Sequence, residues 1–185
     1  MDLAPNPECP YDERMKITPF VLVMAVALSA SPAAAQAPEF SMKGQYELVK
    51  GWVTKGAAAM PKANYSFKPT PEVRSFGQLL GQIANATGMI CTIPACGNSP
   101  LAGDAEKLTT KAELTKALAD AFASCGKVWA AVTPAWQTEM VDVFGAQQTK
   151  MAGLTFNTSH IFEHYGNVVT YLRLKGIVPP SSGGI

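Results

Sequence analysis

Histidine is scarce in this chain, with two among 185 residues, and no charge surplus of either sign offsets the shortage: 15 Lys and Arg face 14 Asp and Glu. A net charge of +1 leaves no basic surplus to neutralise a run of phosphates, which argues against nucleic acid and an anionic membrane surface as main partners. No C-x-x-C pair occurs, so a four-thiolate or paired-thiolate zinc site is excluded. Glycine follows no strict period, and 48% of residues are hydrophobic, so collagen-like and disordered classes drop out as well. What remains is the composition of one globular domain.

The N-terminal region reads as an export leader. Lys16 supplies a positive start, Ile17 to Ala30 an apolar segment, and Ala33-Ala34-Ala35 a small-residue cleavage site. The apolar segment is shorter than the roughly 18 residues a spanning helix needs, so no stable membrane span is expected after cleavage. Met1 to Arg14 carries Asp2, Glu8, Asp12 and Glu13, which does not suit a leader's start. Translation is therefore expected to begin at Met15, and an intact precursor mass distinguishes the two starts. Residues 1–35 are assigned to extension and signal peptide, and 36–185 to an exported, periplasmic or secreted domain. That domain keeps Cys91, Cys96 and Cys125. An oxidising compartment permits one disulfide among three pairings, with Cys91 and Cys96 placed to close a small loop around Pro94. Three buried thiols acting as small hydrophobes are the alternative.

Helical periodicity dominates the rest. Met42, Tyr46, Val49, Val53 and Ala57 predict a helix over 40–60, stopped by Pro61, with a surface linker from Pro61 to Pro69. Thr70, Pro71 and Glu72 predict the start of a second helix, with Val73, Phe76, Leu79, Leu80, Ile83 and Ile90 on its apolar face. Thr110 and Glu113 form a capping box for a third helix that buries Leu114, Leu118 and Phe122. After an irregular stretch from Trp136 to Gly145, a long helix is predicted over 148–175, ended by Gly176. Four amphipathic helices without a competing strand pattern define an all-α, four-helix bundle.

Both histidines lie in His160-Ile161-Phe162-Glu163-His164. Residues four apart on a helix share a face, with Cβ atoms about 5 to 6 Å apart, so two imidazoles there can converge on one ion. The face extends to Asn157, Asn167 and Tyr171, a polar stripe that faces either solvent or a bundle cavity. The five residues also match the H-x-x-E-H pattern of inverted zinc peptidases. That site needs a further ligand, usually a carboxylate downstream, and no Asp or Glu follows His164.

The chain resembles the DinB superfamily, the DinB and YfiT-like four-helix bundles of bacteria. Tyr65-Ser66-Phe67-Lys68-Pro69, Phe76-Gly77-Gln78-Leu79-Leu80-Gly81 and the H-x-x-x-H-Y-G-N and Y-L-R-L-K-G segments between His160 and Pro180 carry the resemblance. It spans about Phe40 to Ser182. It implies the bundle, a homodimer, and a divalent metal, zinc or nickel in preference to iron, held by three histidines. His160 and His164 match the two late ligands, whereas Gln82 stands at the helix-two position. An amide oxygen is a weaker donor to such ions than imidazole. Asn85, Asn167 and Tyr171 are then expected to line the pocket. Two readings follow: a metal-dependent enzyme acting on a small molecule or thiol, either an S-transferase or a hydrolase, or an exported binding bundle that has lost its metal.

Overall fold

In the computed structural model, residues 41–95 and 103–183 are described, and all fall within the compact unit Phe40–Ile185. The leader, the 35/36 boundary and Cys96 lie outside the described residues. Four long helices form the bundle: α1 (Met42–Ala59), α2 (Phe76–Ile90), α3 (Lys111–Ala130) and α5 (Lys150–Leu174), with a short α4 (Pro134–Thr138) between the last two. Helix α1 packs against α3 and α5, and α2 packs against the same two, closing a square. No described helix is long and apolar enough to cross a membrane.

Each helix start follows from its cap. Ser41 accepts from the Gly44 N–H, Thr110 from Glu113, and Thr149 from Ala152. The Glu113 carboxylate returns the bond to Thr110, as the sequence predicts. The apolar faces are also where periodicity places them. Tyr46, Val49 and Val53 of α1 and Leu114, Leu118 and Phe122 of α3 are buried. Aromatic rings bridge the helices: Tyr46 stacks on Trp129 at 5.6 Å, and Trp52 on Tyr165 at 5.3 Å.

Three expectations need correction. Helix α2 starts at Phe76 rather than after Thr70, because Ser75 and Gln78 form a reciprocal capping box. Backbone further upstream reinforces that start: the Phe76 N–H donates to the Phe67 carbonyl at 3.0 Å, and the Gly77 N–H to the Tyr65 carbonyl at 2.7 Å. All four orphan donors of the first turn, on Ser75, Phe76, Gly77 and Gln78, thus find partners, and Val73 is left exposed. The segment from Pro61 to Pro69 is consequently no plain surface linker. Tyr65 is buried, and its hydroxyl donates to the Ala57 carbonyl at 2.8 Å.

The third correction concerns the stretch before α5, which contains an antiparallel hairpin, β1 (Met140–Val143) with β2 (Ala146–Thr149). Its two turn residues, Phe144 and Gly145, have φ of 55° and 86°, as a two-residue primed turn requires. Asp142 accepts from the Gly145 N–H at 2.9 Å and fixes the turn.

One covalent link crosses the bundle. Cys91, at the end of α2, is bonded to Cys125 of α3 with Cα atoms 5.4 Å apart. Both are fully buried. The Asn157 amide of α5 reaches the same place, its Nδ2 donating to Cys125 Sγ at 3.7 Å.

Candidate metal and ligand site

Helices α2 and α5 run antiparallel. Tyr171 lies beside Phe76 at one end, and Gly153 beside Pro94 at the other. Between the start of α2 and the second half of α5 opens a cavity of about 820 Å³. His164, Asn167 and Tyr171 line it from α5, while Gln78, Arg74 and Glu106 line it from the side of α2.

The polar stripe of α5 turns mainly inward. Asn157, His164 and Tyr171 are buried, His160 is half-buried and Asn167 is exposed. The two imidazoles meet edge to face, with ring centroids 4.4 Å apart and Nε2 atoms 3.1 Å apart. Burial is the main cause holding both rings below the usual histidine range, and for His164 the neighbouring His160 lowers the pKa further. Both rings are therefore neutral near pH 7, the state in which imidazole has a lone pair to offer.

The separation of the two Nε2 atoms is one that two ligands of a single ion would share. Two nitrogens each about 2.0 to 2.1 Å from a common ion lie about 2.9 to 3.4 Å apart for angles between square and tetrahedral, and 3.1 Å falls in that interval. Without an ion the same distance is an N–H···N bond, which needs opposite tautomers on the two rings. Each Nδ1 is buried without a hydrogen-bond partner, so these rings lack the outer carboxylate or carbonyl that usually strengthens a histidine ligand. Gln82 is half-buried and hydrogen-bonds to neither ring. Among the described residues no third His, Cys, Asp or Glu is close enough to complete a metal-binding group.

The other candidate residues have separate roles. Asn85 does not line the cavity. Its amide donates to Asp104 at 2.7 Å and accepts from the Ala105 N–H at 2.9 Å, pinning a short 3-10 helix (Ala105–Lys107) against α2. The Tyr171 hydroxyl donates to the Arg74 carbonyl at 2.5 Å. Arg74 and Glu106, which sequence reasoning missed, form an ion pair at 2.8 Å in the cavity wall. No periodicity marks them, because one sits before α2 and the other in the 3-10 helix.

A pH dependence follows from the two rings. With the folded pKa values lowered, the unfolded chain takes up protons first as pH falls below about 6.5. The histidine contribution is therefore complete above that pH and is lost as pH drops toward the folded values. Melting curves between pH 7 and 5 should show a steeper loss for the natural chain than for a His160→Gln/His164→Gln variant. Parallel slopes would contradict the burial of the pair.

No protein-family model matches the sequence, and no curated protein does. Solved structures do match. A DinB-like protein from Bacillus cereus ATCC 10987 superposes with a TM-score of 0.66 at 16% identity, covering 77% of this chain and 96% of that one. A DinB-like protein from Bacillus subtilis gives 0.57 at 19% identity, covering 73% and 91%. Fold and cavity together define a helical bundle with a polar pocket between two antiparallel helices. The fold is that of the DinB-like proteins.

Proposed function

We propose that this chain is an exported member of the DinB superfamily in which His160 and His164 hold one divalent ion beside a cavity that admits a small molecule. Zinc or nickel suits two imidazole donors better than iron does. The observation that carries this reading is the 3.1 Å approach of the two Nε2 atoms. A bound ion supplies a Lewis-acidic position that favours thiolate over thiol on an incoming ligand.

The chain's own residues shape what enters. The Tyr171 hydroxyl proton and Gln78 Oε1 are committed to backbone bonds, so Tyr171 acts as wall while the Gln78 amide nitrogen keeps its donors for a ligand. Lys68, Glu72, Arg74, Glu106, Glu163 and Asn167 are further polar groups at the cavity. Such a site suits a thiol S-transferase or a hydrolase. The Cys91–Cys125 bond supports an oxidising compartment, and hence export. A non-catalytic bundle is the second reading, favoured by the missing third nitrogen at Gln82.

Elemental analysis of the chain purified without a polyhistidine tag tests the first reading. It predicts stoichiometric zinc or nickel that disappears in His160→Ala. No metal after exposure to excess ions overturns it and leaves the second reading. Gln82→His should tighten binding about tenfold or more by restoring a nitrogen donor. An unchanged affinity would place that side chain away from the ion.

A further inference from the structure

We infer that Arg74 reads the charged end of the cavity's ligand: the free edge of its guanidinium takes the carboxylate of a small, singly charged organic acid. The inference deepens the proposed function by naming the ligand class of the same cavity, and it rests on that cavity being the ligand site rather than on the ion. It starts from which polar groups are already engaged. Gln78 Oε1 accepts from the Ser75 N–H at 2.9 Å, and this bond fixes the amide so that Nε2 keeps both its donors. Thr170 is turned back on the Gly166 carbonyl, and Glu72 is engaged by its own turn, through Thr70 and a backbone N–H. Arg74 donates from Nε to Glu106 Oε2 at 2.8 Å and from Nη2 to Oε1 at 3.5 Å. Glu106 thus occupies one edge of the planar fork. The other edge, Nη1 with the second proton of Nη2, has no hydrogen-bond partner among the described residues. That edge has the geometry to hold a carboxylate by two parallel bonds.

The fork is positioned before any ligand arrives. The peptide joining Arg74 to Ser75 is gripped on both sides, its carbonyl by the Tyr171 hydroxyl at 2.5 Å and its N–H by Gln78 Oε1. Glu106 then sets the direction of the guanidinium, and its own backbone is held in turn. Asp104 accepts from the Glu106 N–H at 3.0 Å, and Asn85 pins the same 3-10 helix to α2. Donors held in place cost less to order on binding. Arg74, Gln78 and His164 line one cavity, and the Arg74 charge is felt at both imidazoles, where it helps to lower their pKa. A molecule anchored on Arg74 therefore lies within electrostatic reach of the histidine pair. Charge also limits what is accepted. The lining sets Lys68 and Arg74 against Glu72, Glu106 and Glu163, so it has no field that draws anions in general. Recognition falls to the fork, and a dianion such as phosphate meets the carboxylates with twice the charge of a simple organic acid.

Chemical-shift titrations of the full, tag-free chain with butyrate and with butyramide, its uncharged counterpart, test the assignment. Butyrate should bind about tenfold more tightly or better, the worth of a hydrogen-bonded charge, and should move the amide signals of Arg74 and Gln78. The double variant Arg74→Met/Glu106→Gln removes the fork without changing the net charge, and should lose about tenfold or more in butyrate affinity. Arg74→Lys keeps the charge but not the fork, and should remain about threefold weaker or worse than the natural chain. Inorganic phosphate should bind more weakly than butyrate. Melting curves confirm that each variant is folded. Equal affinity for butyrate and butyramide, full butyrate binding by the double variant, or a preference for phosphate overturns the inference. Elemental analysis of the same samples separates it from the metal reading. Zinc or nickel on the histidines with no preference for butyrate leaves that reading standing alone, whereas an Arg74-dependent preference without bound metal supports the carboxylate site and overturns the ion.

Discussion

Replacing Cys91 and Cys125 with alanine should lower stability by about 3 to 4 kcal/mol, the loop-closure contribution of a bridge between residues this far apart. The two are 34 positions apart in sequence, and the loop between them contains the 3-10 helix that carries Glu106. Single domains have only about 5 to 15 kcal/mol in total, so the melting temperature should fall by roughly 10 °C. The effect reaches α5 as well. Asn157 is fully buried, its Oδ1 has no partner, and its Nδ2 has only the Cys125 sulfur. Without that sulfur, a second amide atom is left unpaired in the core. Both cysteines are fully buried, so a reductant should act on the folded chain only as fast as the chain opens. Thermal and urea unfolding of the natural and doubly substituted chains measure the difference. A melting temperature within about 2 °C would show that the bond does not brace α2 against α3.

Phe76→Ala should cost about 3 to 5 kcal/mol, the range for removing a fully buried aromatic ring. Phe76 is 0% exposed and meets Tyr65 at 5.2 Å and Tyr171 at 6.3 Å. It is also the first residue of α2, so the void opens where the helix joins the cavity and where Tyr171 leans on it. The ligand site should loosen together with the core, and Phe76→Leu, which keeps most of the volume, should cost clearly less. Urea unfolding at neutral pH gives both numbers. A loss below about 1 kcal/mol for the alanine variant would mean that the site collapses around the gap and that the ring is not its support.

Which features were legible in the sequence depended on whether their cause was local. Thr110 with Glu113 marks the start of α3 from three residues away, and Gly176, with φ of 71°, marks the end of α5. Both signals lie within one turn of the boundary they set. The sequence signals a start for α2 at Thr70 with Pro71, whereas the structure starts it at Ser75 with Gln78. Long-range bonds decide between them, above all Tyr171 to Arg74 across 97 positions. The hairpin went unseen because Ala146–Thr149 shows no apolar alternation and because phenylalanine, unlike asparagine, is no signal for positive φ at residue 144. The histidine pair was legible because helical geometry alone fixes a four-residue spacing. Arg74 with Glu106, 32 positions apart, has no such rule, and Asn85 looked like pocket lining because helical phase cannot show the turn it pins.

Anomalous diffraction at the zinc edge, from crystals of the full chain soaked with zinc, tests the proposed shared coordination point most directly. The prediction is one peak between α2 and α5, about 2.0 to 2.1 Å from Nε2 of both His160 and His164. Rings turned apart with no peak between them, or a peak bound elsewhere on the chain, would contradict it.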